Sequence, residues 1–436
     1  MILAALSAVV GTMVAGGFSA HAQSDTTGSS TSSKLEQENQ ELRQRLDKLE
    51  HILEKEGLKP SENGMASTPA VSAMSSVNIS GFVEASYFSD VADSRDNHPA
   101  GYLWNTSLNS FTLNKIKLTL ASPGVDKDKW DAAYRASFIW GSDAPIVDTG
   151  STAGGVAAGN GFSWVREAYI EVNAPIGTGL DLRAGDLISL LNYESGDGGA
   201  VNDNFSQSYA WYWTGNPPNV GIQAGYDVND WLGIKLRLQN GLYSGPVSIG
   251  GKTFIGGLYI KPIKNLWVDV LGFTGHQDIS APPVAPGGWD IAGGSILAGY
   301  TLNTNWNLAI GNEDDYFHYS IPGGASGDFW SVAGWLGVDM CPKVRLALRA
   351  EYLCDPSGFG TYFNSPPPGA DAAFPGAFPG EGQDLEEVTL TLDYKPVPMV
   401  KIQPEIRWNH CNYASGFGLD GKKDQIIVGM GVSYLF

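Results

Sequence analysis

The amino-acid sequence predicts an all-β fold, a transmembrane antiparallel β-barrel of about 16 strands, preceded by a short N-terminal coiled-coil helix. Three observations predict it. Charged residues make up only 17% of the 436 residues, against about 25% in ordinary soluble domains. Short segments from residue 77 onward alternate apolar and polar side chains, as β-strands do. The connections between those segments alternate between long and short.

The N-terminal residues 1–22 are interpreted as a secretory signal peptide. Residues 2–20 are small and apolar, and the tripeptide A-H-A at 20–22 supplies an A-x-A cleavage pattern. No Lys or Arg occurs before Lys34, so the usual basic beginning is missing, and a membrane-anchor helix is the alternative. A polar linker follows over residues 23–33.

Residues 34–58 are predicted to form a coiled-coil helix, with a second linker over 59–76. Apolar side chains recur at the a and d positions of about three heptads, which is typical of helices that pack against each other. Charges at the e and g positions fit a parallel homo-oligomer. A single amphipathic helix packed on the barrel is the alternative. The predicted oligomerisation residues are Leu35, Asn39, Leu42, Leu46, Leu49 and Leu53.

Three segments show the strand alternation most clearly, at residues 231–241, 344–352 and 400–409. Each carries Leu, Ile, Val or aromatic side chains on one face and mostly charged or amide side chains on the other. Because successive side chains of a strand point to opposite faces, each of these strands has an apolar and an ionic face. A soluble β-sandwich would satisfy the same alternation with its apolar face in a core.

The connection lengths favour a membrane barrel over a sandwich. Odd connections are long, such as 189–217 and 354–384, whereas even ones are turns, such as 227–230 and 303–304. Outer-membrane barrels have short periplasmic turns, long outer loops and an even strand number. An even count places the coiled coil and the C-terminus on the same, periplasmic side. The predicted barrel occupies 77–436, with strands at 77–89, 110–121, 129–140, 164–174, 180–188, 218–226, 231–240, 252–261, 265–274, 291–302, 305–316, 328–339, 343–353, 385–394, 399–409 and 425–436.

The last strand carries one apolar face that ends on the C-terminal Phe436. An aromatic C-terminus in this phase resembles the signal read by the barrel-assembly machinery, which is therefore a predicted partner. Aromatic residues also cluster near the strand ends, where the girdles of membrane barrels meet the bilayer interfaces. Outer-membrane lipid is the predicted surroundings of the apolar face.

The ionic face is expected to look into a water-filled lumen, because 16 strands enclose more space than side chains fill. A charge on the lipid face would cost roughly 2–4 kcal/mol at the bilayer midplane. The inward charges either only solvate a polar wall or form a basic strip opposite acids that favours hydrated solutes. The predicted pore-lining residues are Lys115, Lys117, Arg135, Glu167, Glu171, Arg183, Lys235, Arg237, Arg345, Arg349, Glu351, Lys401, Glu405 and Arg407.

Three further features allow more than one interpretation. The aromatic connection 189–217 constricts the lumen, extends a strand above the membrane or contacts a neighbouring subunit, and the sequence leaves these alternatives open. The acidic run 312–315 lacks the spacing of an EF-hand loop and is interpreted as a solvated outer rim. Cys354 and Cys411 are interpreted as inert thiols, with a disulfide between them as the alternative.

Nucleic-acid binding and catalysis have little support. Phosphate binding needs a basic surface, whereas the chain has a net charge of -19. No His of the barrel has a nearby G-x-S-x-G, H-E-x-x-H or C-x-x-C partner. The chain is expected to be no enzyme and to use no cofactor or metal, with a Ser–His site assembled across strands as the rival possibility.

Several segments resemble the OmpL-like family of β-barrel porins (porin-2) over most of residues 77–436. They are ISGFVEASYF (79–88), SFTLNKIKLTL (110–120), REAYIEVNAP with LRAGDLISLLNYE (166–194), NFSQSYAWYW with NVGIQAGY (204–226) and the most specific, LALRAEYLCDPSGFGT (346–361). The resemblance implies a passive outer-membrane channel for small hydrophilic solutes. A surface-binding or adhesive barrel with a plugged lumen is the alternative. A homo-oligomer, either a trimer or a dimer, is expected.

Overall fold

The computed structural model describes residues 77–91, 107–147, 164–243, 250–277, 288–302, 307–324, 326–358, 382–412 and 422–436. The predicted signal peptide, both linkers and the coiled coil lie outside the described residues, and so do the six predicted oligomerisation residues.

Sixteen antiparallel strands form the described chain. They are β1 (Asn78–Asp90), β2 (Ser110–Ala121), β3 (Asp131–Trp140), β4 (Val165–Ala174), β5 (Leu180–Leu187), β6 (Asn219–Asn229), β7 (Leu232–Asn240), β8 (Lys252–Ile263), β9 (Leu266–Gln277), β10 (Trp289–Leu302), β11 (Leu308–Ser320), β12 (Ser326–Cys341), β13 (Val344–Asp355), β14 (Gln383–Val397), β15 (Val400–Cys411) and β16 (Asp424–Leu435). Each strand pairs with its neighbours in sequence, and β1 pairs with β16. The sheet is thus a closed barrel, and the predicted fold class is confirmed.

The predicted strands are all present, and their largest errors lie at the outer ends. The strand predicted at 305–316 is β11, which continues to Ser320. In this outer stretch, the outward-facing Tyr316 and His318 bind Asp328 of β12, each at 2.7 Å. Polar side chains here occupy the outward face, whereas the inward-facing Phe317 and Tyr319 are buried in an apolar cluster. The alternation that marks a membrane strand therefore reverses before the pairing ends.

The predicted side-chain phase is confirmed on β7. Leu236 and Leu238 are 47% and 45% exposed on the outer surface, whereas Arg237 and Gln239 are 3% and 1% exposed on the inner one. The same alternation runs along β13 and β15. Apolar side chains therefore cover the outside of the barrel, and ionic side chains point into it.

Helical structure in the described residues is confined to the connections. Helix α1 (Ala144–Val147) follows β3, while a 3₁₀ turn (Gly198–Ala200) and a π-helical turn (Ala210–Thr214) lie between β5 and β6. No helix in these ranges is both long and apolar enough to cross a bilayer.

The connection between β5 and β6, residues 188–218, is named the inner segment. It leaves the outer end of β5 and contacts side chains near the opposite, short-turn end, such as Lys401 and Arg345. Gln207, Ser208 and Tyr209 are fully buried. The inner segment therefore folds into the lumen, which decides among the alternatives that the sequence left open.

Candidate functional site in the barrel lumen

Inward-facing carboxylates hold the backbone N–H groups of the inner segment. Glu351 accepts hydrogen bonds from the amides of Tyr209 (2.7 Å) and Ala210 (3.0 Å). Glu405 accepts from the amides of Phe205 (2.8 Å) and Ser206 (3.2 Å). A buried loop must satisfy its backbone donors, and charged acceptors form the stronger bonds. The wall of the barrel thus supplies the hydrogen-bond acceptors that a helix or a sheet would otherwise provide.

Inward-facing cations bind the carbonyl oxygens of the same segment. Arg349 donates to the Ser206 carbonyl and Arg407 to the Gln207 carbonyl, both at 2.6 Å. Lys401 donates to the Gly199 carbonyl at 2.8 Å. Donors and acceptors of the segment are thus matched by wall side chains of opposite sign.

A buried ionic cluster lies where the inner segment meets β13 and β14. The guanidinium of Arg349 contacts Glu194 of the inner segment at 2.8 Å and Glu387 of β14 at 2.9 Å. Arg407 lies 3.9 Å from both Glu351 and Glu387. All five side chains are almost completely buried. Removing one partner from such a cluster leaves an uncompensated buried charge, which is strongly destabilising.

Asp197 anchors the other end of the inner segment to β2 and β4. Its carboxylate lies 2.5 Å from the Lys117 ammonium and 3.4 Å from the Arg166 guanidinium. Burial alone would raise the pKa of Asp197, but the two cations outweigh it and hold that pKa below its ordinary value of 3.8. Asp197 is therefore ionised at neutral pH.

The acidic run 312–315 lies at the middle of β11 rather than at an outer rim, so that interpretation is wrong. Glu313 accepts a hydrogen bond from the Tyr193 amide (2.9 Å), and Asp315 accepts from the Thr214 hydroxyl (2.6 Å). Both carboxylates serve the inner segment. Glu313 and Asp315 are two residues apart and therefore share the inward face of β11. The acidic Asp314 between them makes the run look uniformly charged and hides this alternation.

Glycines on the wall make room for aromatic rings of the inner segment. A Cβ atom at Gly311 would overlap the ring of Tyr193, and one at Gly431 would overlap the ring of Phe205. Tyr193 stacks on Trp335 with ring centroids 4.4 Å apart. These contacts add shape complementarity to the polar anchors.

Two cavities border the lumen among the described residues. An outer cavity of about 240 Å³ is bordered by the inner segment, including Ile188 and Trp211, and by Ile146 of α1. An inner cavity of about 460 Å³ lies against β4–β9 and is lined by charged and aromatic residues that include Arg183, Lys235 and Trp267. We name β11–β16 with β1 and β2 the covered wall, and β4–β9 the open wall.

Ion pairs are local on the open wall. Arg183 lies 3.1 Å from Asp181 and 3.4 Å from Glu171. Lys235 places its ammonium 3.8 Å from the centre of the Tyr259 ring, a favourable cation–π contact. None of these side chains contacts the inner segment through a described hydrogen bond or ion pair.

The 14 predicted pore-lining residues divide between the two walls. On the covered wall, the inner segment lies over Lys115, Lys117, Arg345, Arg349, Glu351, Lys401, Glu405 and Arg407. On the open wall are Glu167, Glu171, Arg183, Lys235 and Arg237, and Arg135 of β3, between the walls, pairs with Glu167 at 2.5 Å. Their lining of a conducting path stays a prediction.

Sequence reasoning missed Glu194, Asp197 and Asp203, which pair with wall cations. No spacing in the sequence links a loop carboxylate to a strand cation 80 or more residues away. The three cysteines Cys341, Cys354 and Cys411 are free thiols. Across the described ranges, no three His, Cys, Asp or Glu side chains converge as metal ligands.

A closed 16-stranded barrel with an apolar exterior, a charged interior and alternating loop lengths defines the class of outer-membrane porins. Such proteins form solute channels. The chain belongs to the family described as "Putative beta-barrel porin-2, OmpL-like", which matches residues 76–436. The resemblance noted from the sequence is confirmed. No curated protein is similar enough in sequence to count as a relative.

Solved porins share the fold at low sequence identity. The anion-selective porin from Comamonas acidovorans has a TM-score of 0.55 at 11% identity, with 83% of this chain and 99% of that chain covered. Pseudomonas putida OprB in its high-pH structure gives 0.53 at 12%, covering 85% and 96%. The outer membrane channel DcaP of Acinetobacter baumannii gives 0.50 at 14%, covering 83% and 97%.

Proposed function

We propose that the chain passes small hydrophilic solutes by diffusion along the open wall, without catalysis and without a cofactor. The observation that carries this proposal is the asymmetry of the lumen. The inner segment lies against the covered wall, whereas the inner cavity borders the open wall and the outer cavity borders the inner segment itself. A partly filled lumen narrows the channel to a size that sorts small solutes, while water still wets the charged side chains.

Conductance of the purified full chain in a planar lipid bilayer tests this proposal. Discrete conductance steps in KCl are expected. Their complete absence would favour the alternative of an adhesive or surface-binding barrel with a plugged lumen. Hydrolysis of a lipid or peptide that is lost on changing one His would instead establish the rival enzyme.

We further propose outer-membrane lipid as the surroundings of the barrel and the barrel-assembly machinery as the receptor for Phe436. Phe436 is 53% exposed and lies in the outward phase of β16. The predicted coiled coil at 34–58 would then lie in the periplasm, on the side of the short turns. Phe436→Ser should lower the amount of folded barrel in isolated outer membranes, whereas an unchanged amount would contradict the assigned role.

We also propose a homo-oligomer in which a second copy covers the outer face of β10–β12. Asp314 is the central residue of β11 and lies in the outward phase, between Ile296 and Val332. Asp314 is half-buried: its Oδ2 accepts a hydrogen bond from Asn312 at 3.0 Å, while its Oδ1 is covered by the chain itself and has no hydrogen-bond partner among the described residues. A carboxylate facing hydrocarbon at this depth is costly, so a protein partner is the better environment.

Light scattering in detergent tests this oligomer. Asp314→Leu should reduce the measured subunit number, because the substitution removes the polar contact and suits lipid. Ile406→Leu on the outward face of β15 is the matched control and should leave the mass unchanged. Leu46→Asp should weaken assembly through the predicted coiled coil. An unaltered mass with Asp314→Leu would exclude this face as the interface.

A further inference from the structure

We infer that the outer cavity binds a small uncharged solute rich in hydroxyl groups, such as a monosaccharide, stacked on Trp211 and hydrogen-bonded by Asn192. The inference rests on the proposed function, because it names a class of solute that would enter the lumen. The cavity lies at the outer ends of β5 and β6, since Ile188 directly follows β5 and Pro218 directly precedes β6. Its volume of about 240 Å³ equals that of roughly eight molecules of liquid water, which suits one sugar ring.

Aromatic side chains of the inner segment supply the apolar surface of the outer cavity. Trp211 and Tyr212 line it and are half-buried, with their ring centroids 6.5 Å apart. Tyr193 also lines the cavity, but its ring stacks on both Trp267 and Trp335, with centroids 5.8 and 4.4 Å away. Trp211 is thus the largest ring that keeps an accessible part in the cavity. The flat C–H face of a sugar ring fits such an aromatic surface.

Asn192 supplies hydrogen-bonding capacity beside these rings. One N–H of its amide donates to the Trp211 carbonyl at 2.9 Å, which fixes the side chain against the inner segment. Because a primary amide has two N–H donors and a carbonyl acceptor, one donor and the acceptor remain for a solute hydroxyl; within the described ranges no residue binds them. Ser189 and Asn216 line the same cavity and are joined by a hydrogen bond of 2.7 Å. The polar groups are therefore held in place before a solute arrives, which lowers the entropic cost of binding.

The positive charge at the outer cavity is balanced within the fold. Arg166 is the cation that lines the cavity in the described part of the chain, and its guanidinium lies 3.4 Å from Asp197. Asp197 also binds Lys117 and so belongs to a chain of neighbouring ion pairs. That chain holds three cations and three carboxylates, which are Lys115, Lys117, Arg166, Glu84, Asp143 and Asp197. An anionic solute would therefore find no uncommitted cation here.

The negative charge at the outer cavity is occupied as well. Glu194 is the carboxylate that lines it among the described residues. One of its oxygens accepts hydrogen bonds from Arg349 (2.8 Å) and Trp335 (3.0 Å), and the other accepts from the Ser208 amide (2.7 Å). A charged solute would lose water in this cavity without gaining a partner charge, which is costly. An uncharged solute avoids that cost, and its hydroxyl groups both donate to and accept from an amide.

Conductance of the full chain in a planar bilayer, titrated with D-glucose in KCl, tests the inference. Glucose in the outer cavity should obstruct ion flow, so the conductance should fall along a saturating curve on top of the linear decrease caused by viscosity. D-glucuronate carries a carboxylate on the same ring and should show no saturation at matched ionic strength.

Substitutions locate the glucose effect in the outer cavity. Trp211→Ala should raise the half-saturating glucose concentration about two- to tenfold, the loss expected for one aromatic contact, and Trp211→Phe should raise it less. Asn192→Ala should raise it by a similar factor, because it removes hydrogen bonds to the solute. Trp231→Ala is the matched control, since it removes an exposed Trp at the short turn between β6 and β7; it should leave the concentration unchanged. The heat-modifiable folded band on a gel identifies any variant that fails to fold.

Tryptophan fluorescence of the full chain in detergent gives a second readout that needs no conductance. Glucose should change the wild-type emission along a saturating curve, and Trp211→Phe should abolish that change. A saturating change from a folded chain that does not conduct would remove the proposed channel and support the binding site. A conducting wild type that glucose saturates in neither measurement would overturn the inference while the channel stands. Saturation by glucuronate alone, or saturation that Trp211→Ala and Asn192→Ala leave unchanged, would also overturn it.

Discussion

The covered and open walls are built from the same alternating strands, but their inward charges are used differently. On the covered wall, Arg349 and Glu405 bind the backbone of the inner segment. On the open wall, Arg183 and Lys235 border a cavity. The two walls follow identical rules of strand phase and hydrophobic exterior. What distinguishes them is whether a loop returns to neutralise the charges.

This difference teaches that a charge in the lumen phase is not yet a channel residue. On the covered wall the ionic groups replace secondary structure as hydrogen-bond partners for a buried loop, which otherwise could not tolerate its polar backbone. On the open wall the same residue types pair with each other beside a cavity. The proposed solute path therefore follows the charges that the inner segment leaves uncovered, not all inward-facing charges.

Arg349→Ala is expected to show the largest difference in stability between the two walls. The substitution leaves Glu194 and Glu387 buried without their cation, which should cost about 3–5 kcal/mol in the free energy of unfolding. Lys235→Ala on the open wall should cost about 1 kcal/mol or less, because the Lys235 ammonium makes a cation–π contact with Tyr259 rather than a described ion pair. Thermal unfolding in detergent, followed by circular dichroism, measures both. Equal losses would show that the covered wall is no special anchor.

Glycine-to-alanine changes give a smaller contrast between the same walls. The new methyl group of Gly431→Ala would collide with the Phe205 ring and displace the inner segment, at a cost of about 1–3 kcal/mol. Gly225→Ala finds its nearest atom at 3.6 Å and should be tolerated. The same unfolding experiment checks this pair, and a harmless Gly431→Ala would contradict the position of Phe205.

Protonation of Asp197 should weaken the attachment of the inner segment only at low pH. This is the smallest of the expected effects. Because the pKa of Asp197 is lowered in the fold, its stabilising contribution is complete above its unfolded value near 3.8 and disappears as the pH falls through the lower folded value. Single-channel conductance should therefore keep its neutral-pH level down to about pH 4 as far as this group controls it.

Asp197→Asn provides the comparison for the acid experiment. The variant lacks the ion pairs to Lys117 and Arg166 at every pH. The part of the acid response that comes from this carboxylate should be absent in it. A change at low pH that is identical in the two proteins would assign the response to other groups.

The sequence predicted the barrel because its outside must face hydrocarbon and its inside water. Strands such as β7 alternate apolar and polar residues because of this requirement, so the number of strands and the inward or outward direction of each side chain could be predicted. The inner segment carries no such period. Its course depends on contacts such as Glu194 with Arg349, 155 residues apart, which only the folded sheet brings together.

For the candidate site, too, the direction of the strand side chains was predictable from the sequence, whereas their contacts were not. Lys235 and Arg237 were identified as inward-facing from their alternation with Leu236 and Leu238. Their contacts with Tyr259 and with Gln223 and Ile188 were not predictable, since these depend on which side chains the neighbouring strands and the inner segment bring close. Conversely, the mid-strand acids Glu313 and Asp315 were misplaced because their outward neighbour Asp314 is also acidic.

Cysteine accessibility during single-channel recording tests most directly that solutes follow the open wall. Gly225→Cys and Gln403→Cys would each be made in a chain whose three native cysteines are replaced by Ser. Gly225 borders the inner cavity, whereas Gln403 is buried against the inner segment through the carbonyls of Asn202 and Asp203. A charged methanethiosulfonate reagent should change the conductance of the Gly225→Cys channel and leave the Gln403→Cys channel unaltered. A response at Gln403→Cys with none at Gly225→Cys would contradict the assignment of the two walls.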